Sequence, residues 1–186
     1  MNSVFIGGIP NAGKSTLAKK LAKEFGMNHI DLDLFREQIW QNPELRYWED
    51  FFSNMDELQY WNETSMEDHW ENIKKQSEAF WVVFLQEIRN KMKNGPVVFE
   101  AVNVLPHLAK QEGFNGVYLI ASSIDEIYER NKVRPRWGET DDLWKIEAEK
   151  FYQEGEFYKK EAEALGYKVF TNPVEAQEEL EKLIIS

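Results

Sequence analysis

The sequence predicts an α/β fold in which a parallel sheet carries helices on both faces. Short apolar runs typical of buried strands alternate along the chain with segments of helical periodicity. The first apolar run leads at once into a glycine-rich turn and then into a helical pattern. No linker rich in Pro, Gly or Ser interrupts the chain, so we expect residues 1–186 to form a single domain. Ligands should bind at the carboxyl ends of the strands.

The strand predictions rest on apolar runs of strand length that are bounded by turn residues or polar residues. Buried strands of a parallel sheet are continuously apolar, because helices cover both faces. Four runs fit this description, at residues 4–6, 97–101, 117–121 and 167–170. Residues 28–33 are more polar and are interpreted as a second short strand that ends in two carboxylates.

The helix predictions rest on apolar residues at helical spacing together with start and stop signals. Gly26 ends the first helix, and Thr140 caps a long helix that Gly166 closes. Residues 94–96 (Asn-Gly-Pro) stop the clearest helix of the chain, and Pro135 breaks another. The predicted helices cover residues 14–25, 34–40, 66–93, 104–111, 124–134, 140–164 and 174–184.

The segment between the second and third strands, roughly residues 34–95, is too long for a plain crossover. We interpret it as a helical insertion on the substrate side of the site. Residues 35–84 hold 12 of the chain's 26 aromatic residues. Regularly spaced ones such as Trp70 and Phe84 favour a core role. Other aromatic residues could stack on a flat substrate, or could equally serve a homodimer contact.

Composition excludes several classes of function. The 186 residues carry a formal net charge of −11, which disfavours nucleic acid and anionic membranes as partners. There is no cysteine, so disulfides and thiol chemistry are excluded. No apolar run could span a membrane and no signal-peptide pattern is present, which indicates a cytoplasmic protein. His29, His69 and His107 have no metal-ligand spacing, and His29 is interpreted as a packing residue.

The glycine-rich turn at residues 8–16 fits a glycine, four residues, then Gly-Lys-Ser. Its backbone N–H groups can cradle phosphate oxygens, and the helix that follows adds its positive dipole end. Lys14 supplies a positive charge for the terminal phosphates, and the Ser15 hydroxyl can ligate Mg²⁺. We expect ATP, since no guanine-reading motif is present. The candidate nucleotide contacts are Gly8, Asn11, Ala12, Gly13, Lys14, Ser15 and Thr16.

Polar residues follow the second and third predicted strands. Asp31 and Asp33 should lie on one side of a strand end, where a carboxylate can accept a proton or hold Mg²⁺ through water. Which of the two is the base stays open, and Asp33 could instead cap a helix. Glu100 occupies a position like that of a Walker B acid, a candidate Mg²⁺ ligand and substrate contact. Arg36 and Asn103 are candidate substrate contacts, although Arg36 could be a plain surface residue.

Three arginines, Arg130, Arg134 and Arg136, cluster in an otherwise acidic chain. On a lid-like segment over residues 130–140 they could neutralise charge on a transferring phosphoryl group. Ion pairs with neighbouring acids are the alternative. The acids concerned are Glu126, Glu129 and Glu139.

Three features together resemble the small P-loop kinases. They are the loop at residues 8–16, the carboxylates with Arg36 after the second strand, and the arginine cluster. That group of kinases includes adenylate, shikimate and gluconate kinases, polynucleotide kinase, chloramphenicol phosphotransferase and zeta toxins. The resemblance covers residues 1–33 and 96–140 and the last strand. It implies strand order 2-3-1-4-5, Mg²⁺-ATP as donor, a closing lid, and Asp33 as the base that activates the acceptor hydroxyl. The insertion departs from the resemblance and leaves the acceptor open.

We therefore expect an ATP-dependent phosphotransferase that moves the γ-phosphate to a hydroxyl of a small molecule. A nucleoside monophosphate acceptor needs several convergent arginines, and only Arg36, Arg46 and Arg89 are available in the insertion. This favours a neutral or lightly charged acceptor. A nucleoside monophosphate kinase and a non-kinase switch that binds and hydrolyses ATP stay as alternatives.

Overall fold

A computed structural model describes residues 1–35, 41–135 and 140–186, except for the side chain of Glu44. Its sheet has five strands, all parallel, in the order β2-β3-β1-β4-β5. This confirms the fold class and the strand order that the resemblance implied. The strands are β1 (Val4–Gly8), β2 (Asn28–Asp31), β3 (Val97–Glu100), β4 (Asn115–Leu119) and β5 (Lys168–Phe170).

The helices of the described part begin and end close to the predicted signals. Thr140 caps its helix by accepting a hydrogen bond from the Leu143 amide, and Gly26 ends the first helix at a φ of 64°. The helices are α1 (Lys14–Phe25), α2 (Pro43–Ser53), α3 (Glu57–Glu63), α4 (Met66–Met92), α5 (Pro106–Gln111), α6 (Ile124–Val133), α7 (Asp141–Ala164) and α8 (Pro173–Ile185).

The three layers follow from which helices touch. Helices α1 and α8 contact each other over one face of the sheet, while α4 and α5 contact α7 over the other. The central strands are buried along their whole length, as expected for strands covered on both faces. Trp70 and Phe84 are buried in the core, as their helical spacing predicted.

The second strand is shorter than predicted. β2 ends at Asp31, and Leu32–Leu34 form a 3₁₀ turn, so the prediction that Asp31 and Asp33 share one face of a strand was wrong. The turn arises because the chain leaves the sheet where its partner β3 ends, at the pair Asp31 and Glu100. Asp33 is therefore placed by a turn and not by strand alternation.

The insertion is helical, as predicted, and is built from α2, α3 and α4. Helix α4 packs on β3 and α7, while α2 and α3 pack against α4 and α7 respectively. Pro43 begins α2, where its missing N–H costs nothing. The predicted helix over residues 34–40 falls mostly outside the described residues. Within the described ranges, no helix is long and apolar enough to cross a membrane.

Candidate active site

The turn between β1 and α1 has the backbone of a phosphate-binding loop. Gly8 has a φ of 116°, and a Cβ there would lie 2.0 Å from the Leu119 carbonyl oxygen, so the position requires glycine. Gly13, with a φ of 94°, is the N-cap of α1. In the described part of the chain no side chain caps this end of the helix, so the first-turn amides are left for a ligand.

Lys14 is the first residue of α1, and its side chain is only 5% exposed. Its ammonium donates to the Ile9 carbonyl at 2.7 Å, which holds the charge inside the loop. A buried ammonium beside backbone amides is a strong attractor for phosphate oxygens.

The loop borders a cavity of about 410 Å³, here called the loop cavity. Asp33, Arg130 and Arg134 also line it. The predicted nucleotide contacts come together here, apart from Gly8, which forms the base of the turn. Those that line the loop cavity are Asn11, Ala12, Gly13, Lys14, Ser15 and Thr16.

Arg130 reaches from α6 to the loop. Its guanidinium donates to the Asn11 carbonyl at 3.0 Å and to Glu126 Oε1 at 2.6 Å. Burial raises the pKa of Glu126, but hydrogen bonds from Ser122 and the Arg130 charge outweigh it, and the pKa lies below its ordinary value. The arginine is thus both ion-paired, as the alternative interpretation held, and seated on the loop cavity.

Hydrogen bonds of Asn11 connect the loop to residues of the segment that follows β4. It has a φ of 55°, and its amide donates to Asn131 Oδ1 at 2.9 Å and to the Arg134 carbonyl at 3.2 Å. Asn131 is fully buried and donates in turn to Glu147 Oε2 at 3.3 Å. A single polar network therefore runs from the loop through α6 into α7.

Three carboxylates meet at the carboxyl ends of β2 and β3. Asp31, Asp33 and Glu100 each offer an oxygen, and these oxygens lie within 4.8 Å of one another. Glu100 is fully buried, and neither of its oxygens has a hydrogen-bond partner of good geometry among the described residues. Carboxylates this close repel one another and Glu100 is buried, so a bound cation would relieve both costs, and oxygen ligands of this kind suit Mg²⁺. The residues present therefore fit the expected metal.

The surroundings of this cluster shift the pKa values of its carboxyl groups in opposite directions. Burial raises the pKa of Glu100, but His29, Lys14 and Ser15 outweigh that effect and bring it below its ordinary value. Burial also raises the pKa of Asp31, and repulsion from Glu100 and Asp33 raises it further. His29 Nε2 lies 3.6 Å from Glu100 Oε1, so this histidine belongs to the cluster and is more than the packing residue that was predicted.

A second cavity, of about 480 Å³, lies between the sheet and the insertion and is here called the insertion cavity. Its volume is that of a site for a small molecule. Phe52, Phe80 and Phe84 of the insertion line it, together with Phe151 of α7. All but Phe52 are at most 3% exposed, so stacking of insertion aromatics on a substrate stays a prediction. Asn103 also lines it, with its amide hydrogens donated to Gln76 and Ser77.

The two cavities share part of their lining. Pro10, Asn11, Asp33 and Arg134 border both of them. Asp33 and Arg134 are the charged residues of this junction. A ligand in one cavity can therefore meet a ligand in the other beside a carboxylate and a guanidinium.

Sequence reasoning missed four buried polar residues of the insertion cavity, namely Glu49, His69, Gln76 and Glu154. They come from α2, α4 and α7, which are far apart in the chain. Nothing in the sequence distinguishes Glu154 as a site residue, because it lies in a helix rich in acids.

Two predicted residues, Arg36 and Arg136, lie outside the described residues, and their roles stay predictions. Arg46 pairs with Asp50 at 3.5 Å, and Arg89 with Glu112 at 2.6 Å.

Comparisons with known proteins agree with this fold. A family model described as "AAA domain" matches residues 4–152. A shikimate kinase from Acinetobacter baumannii, solved in complex with shikimate, is 16% identical with a TM-score of 0.54, covering 100% of this chain and 93% of its own. A shikimate kinase from Bacteroides thetaiotaomicron is 16% identical with a TM-score of 0.53, covering 100% and 99%. A search of curated proteins finds no match. The resemblance to small P-loop kinases is thus confirmed at the level of the fold.

Proposed function

The chain belongs to the AAA-domain family, and from this membership and the geometry of the site we propose that it is an ATP-dependent phosphotransferase. It moves the γ-phosphate of ATP to a hydroxyl of a small molecule. ATP occupies the loop cavity, and the acceptor occupies the insertion cavity.

The observation that carries this proposal is the junction of the two cavities. Asp33 and Arg134 border both, which supports a site where a terminal phosphate and an acceptor hydroxyl meet beside these two residues. Phosphoryl transfer is catalysed mainly by such positioning and by charge stabilisation. A protein that only hydrolyses ATP would have no need of a second cavity lined by aromatic rings.

The transfer needs one base. The acceptor oxygen forms a bond to the γ-phosphorus, the bond from that phosphorus to the bridging oxygen breaks, and ADP leaves. The hydroxyl proton passes to the Asp33 carboxylate. Lys14, Arg130 and Arg134 compensate the charge that spreads over the transferring group, with Arg136 as a further predicted contributor.

Mg²⁺ is the expected cofactor. Ser15 and Glu100 would hold it, with Asp31 and Asp33 near enough to bind it directly or through water. When bound there, the ion would supply positive charge beside the phosphate groups of the nucleotide. The orphaned oxygens of Glu100 support this assignment.

A nucleoside monophosphate kinase is less well supported. Arg46 and Arg89, which could have bound an acceptor phosphate, form ion pairs with Asp50 and Glu112 and do not line the insertion cavity. A small molecule without a phosphate group is therefore the partner that we propose.

The test is ADP formation from Mg²⁺-ATP across a panel of hydroxyl compounds and nucleoside monophosphates. We expect stimulation by one class of hydroxyl compound, and a fall of about 100- to 1,000-fold in kcat for Lys14→Ala. Lys19→Ala, on the exposed face of the same helix, is the matched control. Slow ATP hydrolysis that no acceptor stimulates would instead support the switch.

A further inference from the structure

The insertion cavity carries more negative than positive charge. Its lining includes four carboxylates, those of Asp33, Glu49, Glu57 and Glu154. Among the described residues, Arg134 is the arginine that lines it, and this residue also borders the loop cavity. We propose that the acceptor is an amino alcohol or amino sugar, and that its protonated primary or secondary amine binds at Glu154. This inference rests on the proposed function and names its substrate class.

Glu154 is the residue that singles out the amine. It lies on α7 in the cavity wall and is only 1% exposed. Its Oε2 lies 3.1 Å from His69 Nε2, but its Oε1 has no hydrogen-bond partner among the described residues. A buried carboxylate oxygen without a donor is costly, so a group that donates to it gains much of that cost back on binding.

His69 cannot supply the missing donor, because its second nitrogen is already engaged. The Tyr60 hydroxyl lies 2.8 Å from His69 Nδ1. Burial raises the pKa of Tyr60 to about 12, so the hydroxyl keeps its proton and can donate to Nδ1. His69 Nε2 then donates to Glu154 Oε2, and these contacts hold the carboxylate in place with Oε1 left for a ligand.

The chemistry of the cavity favours an ammonium over other donors. Glu49, only 5% exposed, adds a second carboxylate to the lining, and negative charge in the cavity favours a cation over a neutral hydroxyl. Phe52, Phe80 and Phe84 add apolar rings to the lining, and a less polar surrounding strengthens the attraction between a carboxylate and an ammonium. A quaternary ammonium has no N–H for Glu154 Oε1, and a carboxylate or phosphate would be repelled.

Two sets of compounds with a shared skeleton test the inference on the full chain. One is 2-amino-1,3-propanediol, glycerol and glycerate, and the other is glucosamine, glucose and glucuronate. Binding is measured by calorimetry without nucleotide. In at least one set we expect the amine to bind about tenfold or more tighter than its neutral analogue, with the acid weakest. Absence of any amine preference in both sets, including absence of binding, overturns the inference.

Variants test which residue causes the preference for an amine. Glu154→Gln should reduce the ratio of amine to neutral affinity by about 10- to 100-fold, as for loss of one partner of a buried charge pair. Glu156→Gln removes the same charge from the exposed side of α7 and should leave the ratio unchanged. If Glu154→Gln does not fold, as judged by its thermal unfolding, Glu49→Gln should lower the same ratio. An unchanged ratio in the folded variant overturns the assignment.

The same compounds as acceptors separate this inference from the proposed function. Selective amine binding without transfer to any compound would refute the phosphotransferase and leave the amine site standing. Transfer to neutral compounds at the same kcat/KM as to amines would refute the amine site and leave the phosphotransferase standing.

Discussion

The loop cavity and the insertion cavity adjoin each other but are built on different principles. The loop cavity is made mostly by one continuous segment, residues 10–16, and its cations are Lys14, Arg130 and Arg134. The insertion cavity draws its polar side chains from several distant helices and is acidic. A site for phosphates can be encoded locally, because backbone amides bind the ligand. A site for a particular acceptor requires side chains that only the tertiary fold assembles.

The largest effect is expected where the cavities meet. Asp33→Asn should lower kcat by about 10²- to 10⁴-fold, because the amide cannot accept the hydroxyl proton. Affinities for ATP and acceptor should change far less. Steady-state kinetics with separate binding measurements would check this, with exposed Asp125→Asn as control. An unchanged kcat at saturating acceptor would remove Asp33 from the role of base.

Glu100→Gln tests the carboxylate cluster on the loop-cavity side. We expect the Mg²⁺ concentration for half-maximal rate to rise by about 10- to 100-fold, as for other residues that support a bound metal. Thermal stability at neutral pH should fall, because His29, Lys14 and Ser15 outweigh burial and lower the pKa of Glu100 in the folded state, and an uncharged group loses that stabilisation. A Mg²⁺ titration of ADP formation measures the first effect. An unaltered titration would exclude Glu100 from the metal site.

Asn131→Ala would sharpen the comparison by loosening the phosphate-binding loop. It removes the acceptor of the Asn11 amide and the donor to Glu147, both within a buried network. We expect a loss of about 1–3 kcal/mol in the free energy of unfolding and a higher KM for ATP. Urea denaturation and kinetics would test this, with exposed Asn90→Ala as control. A raised KM for the acceptor at unchanged KM for ATP would contradict the assignment of the network to the loop.

Glu126→Gln should have the smallest effect, about 0–1 kcal/mol, because the pair with Arg130 is partly exposed. The folded state lowers the pKa of Glu126 below its ordinary value of 4.5, so its stabilisation is present above that pH. It is lost as the pH falls through the folded-state pKa. Wild type should therefore exceed the variant in unfolding free energy at about pH 7, and the difference should shrink as the pH falls through the folded-state pKa of Glu126. A difference in unfolding free energy that persisted in acid would indicate that side-chain packing, and not the ion pair, causes it.

Much of the fold was readable from the sequence because its signals are local. Thr140 and Gly26 mark helix ends through contacts within a few residues, and buried parallel strands are recognisable as apolar runs. The end of β2 was not readable, because it depends on where β3 stops. The resemblance to small P-loop kinases supplied the strand order that local patterns could not.

The sequence by itself determined the phosphate-binding loop, since Gly8, Gly13 and Lys14 act through backbone geometry and one helix end. Only the tertiary structure decided what faces that loop. It brought Asp33 to the junction by a 3₁₀ turn, and it placed Glu154 beside His69 across 85 residues of chain. The reason is physical: a helix pattern shows which residues are buried, but the packing of helices decides which buried polar groups meet and which one is left for a ligand.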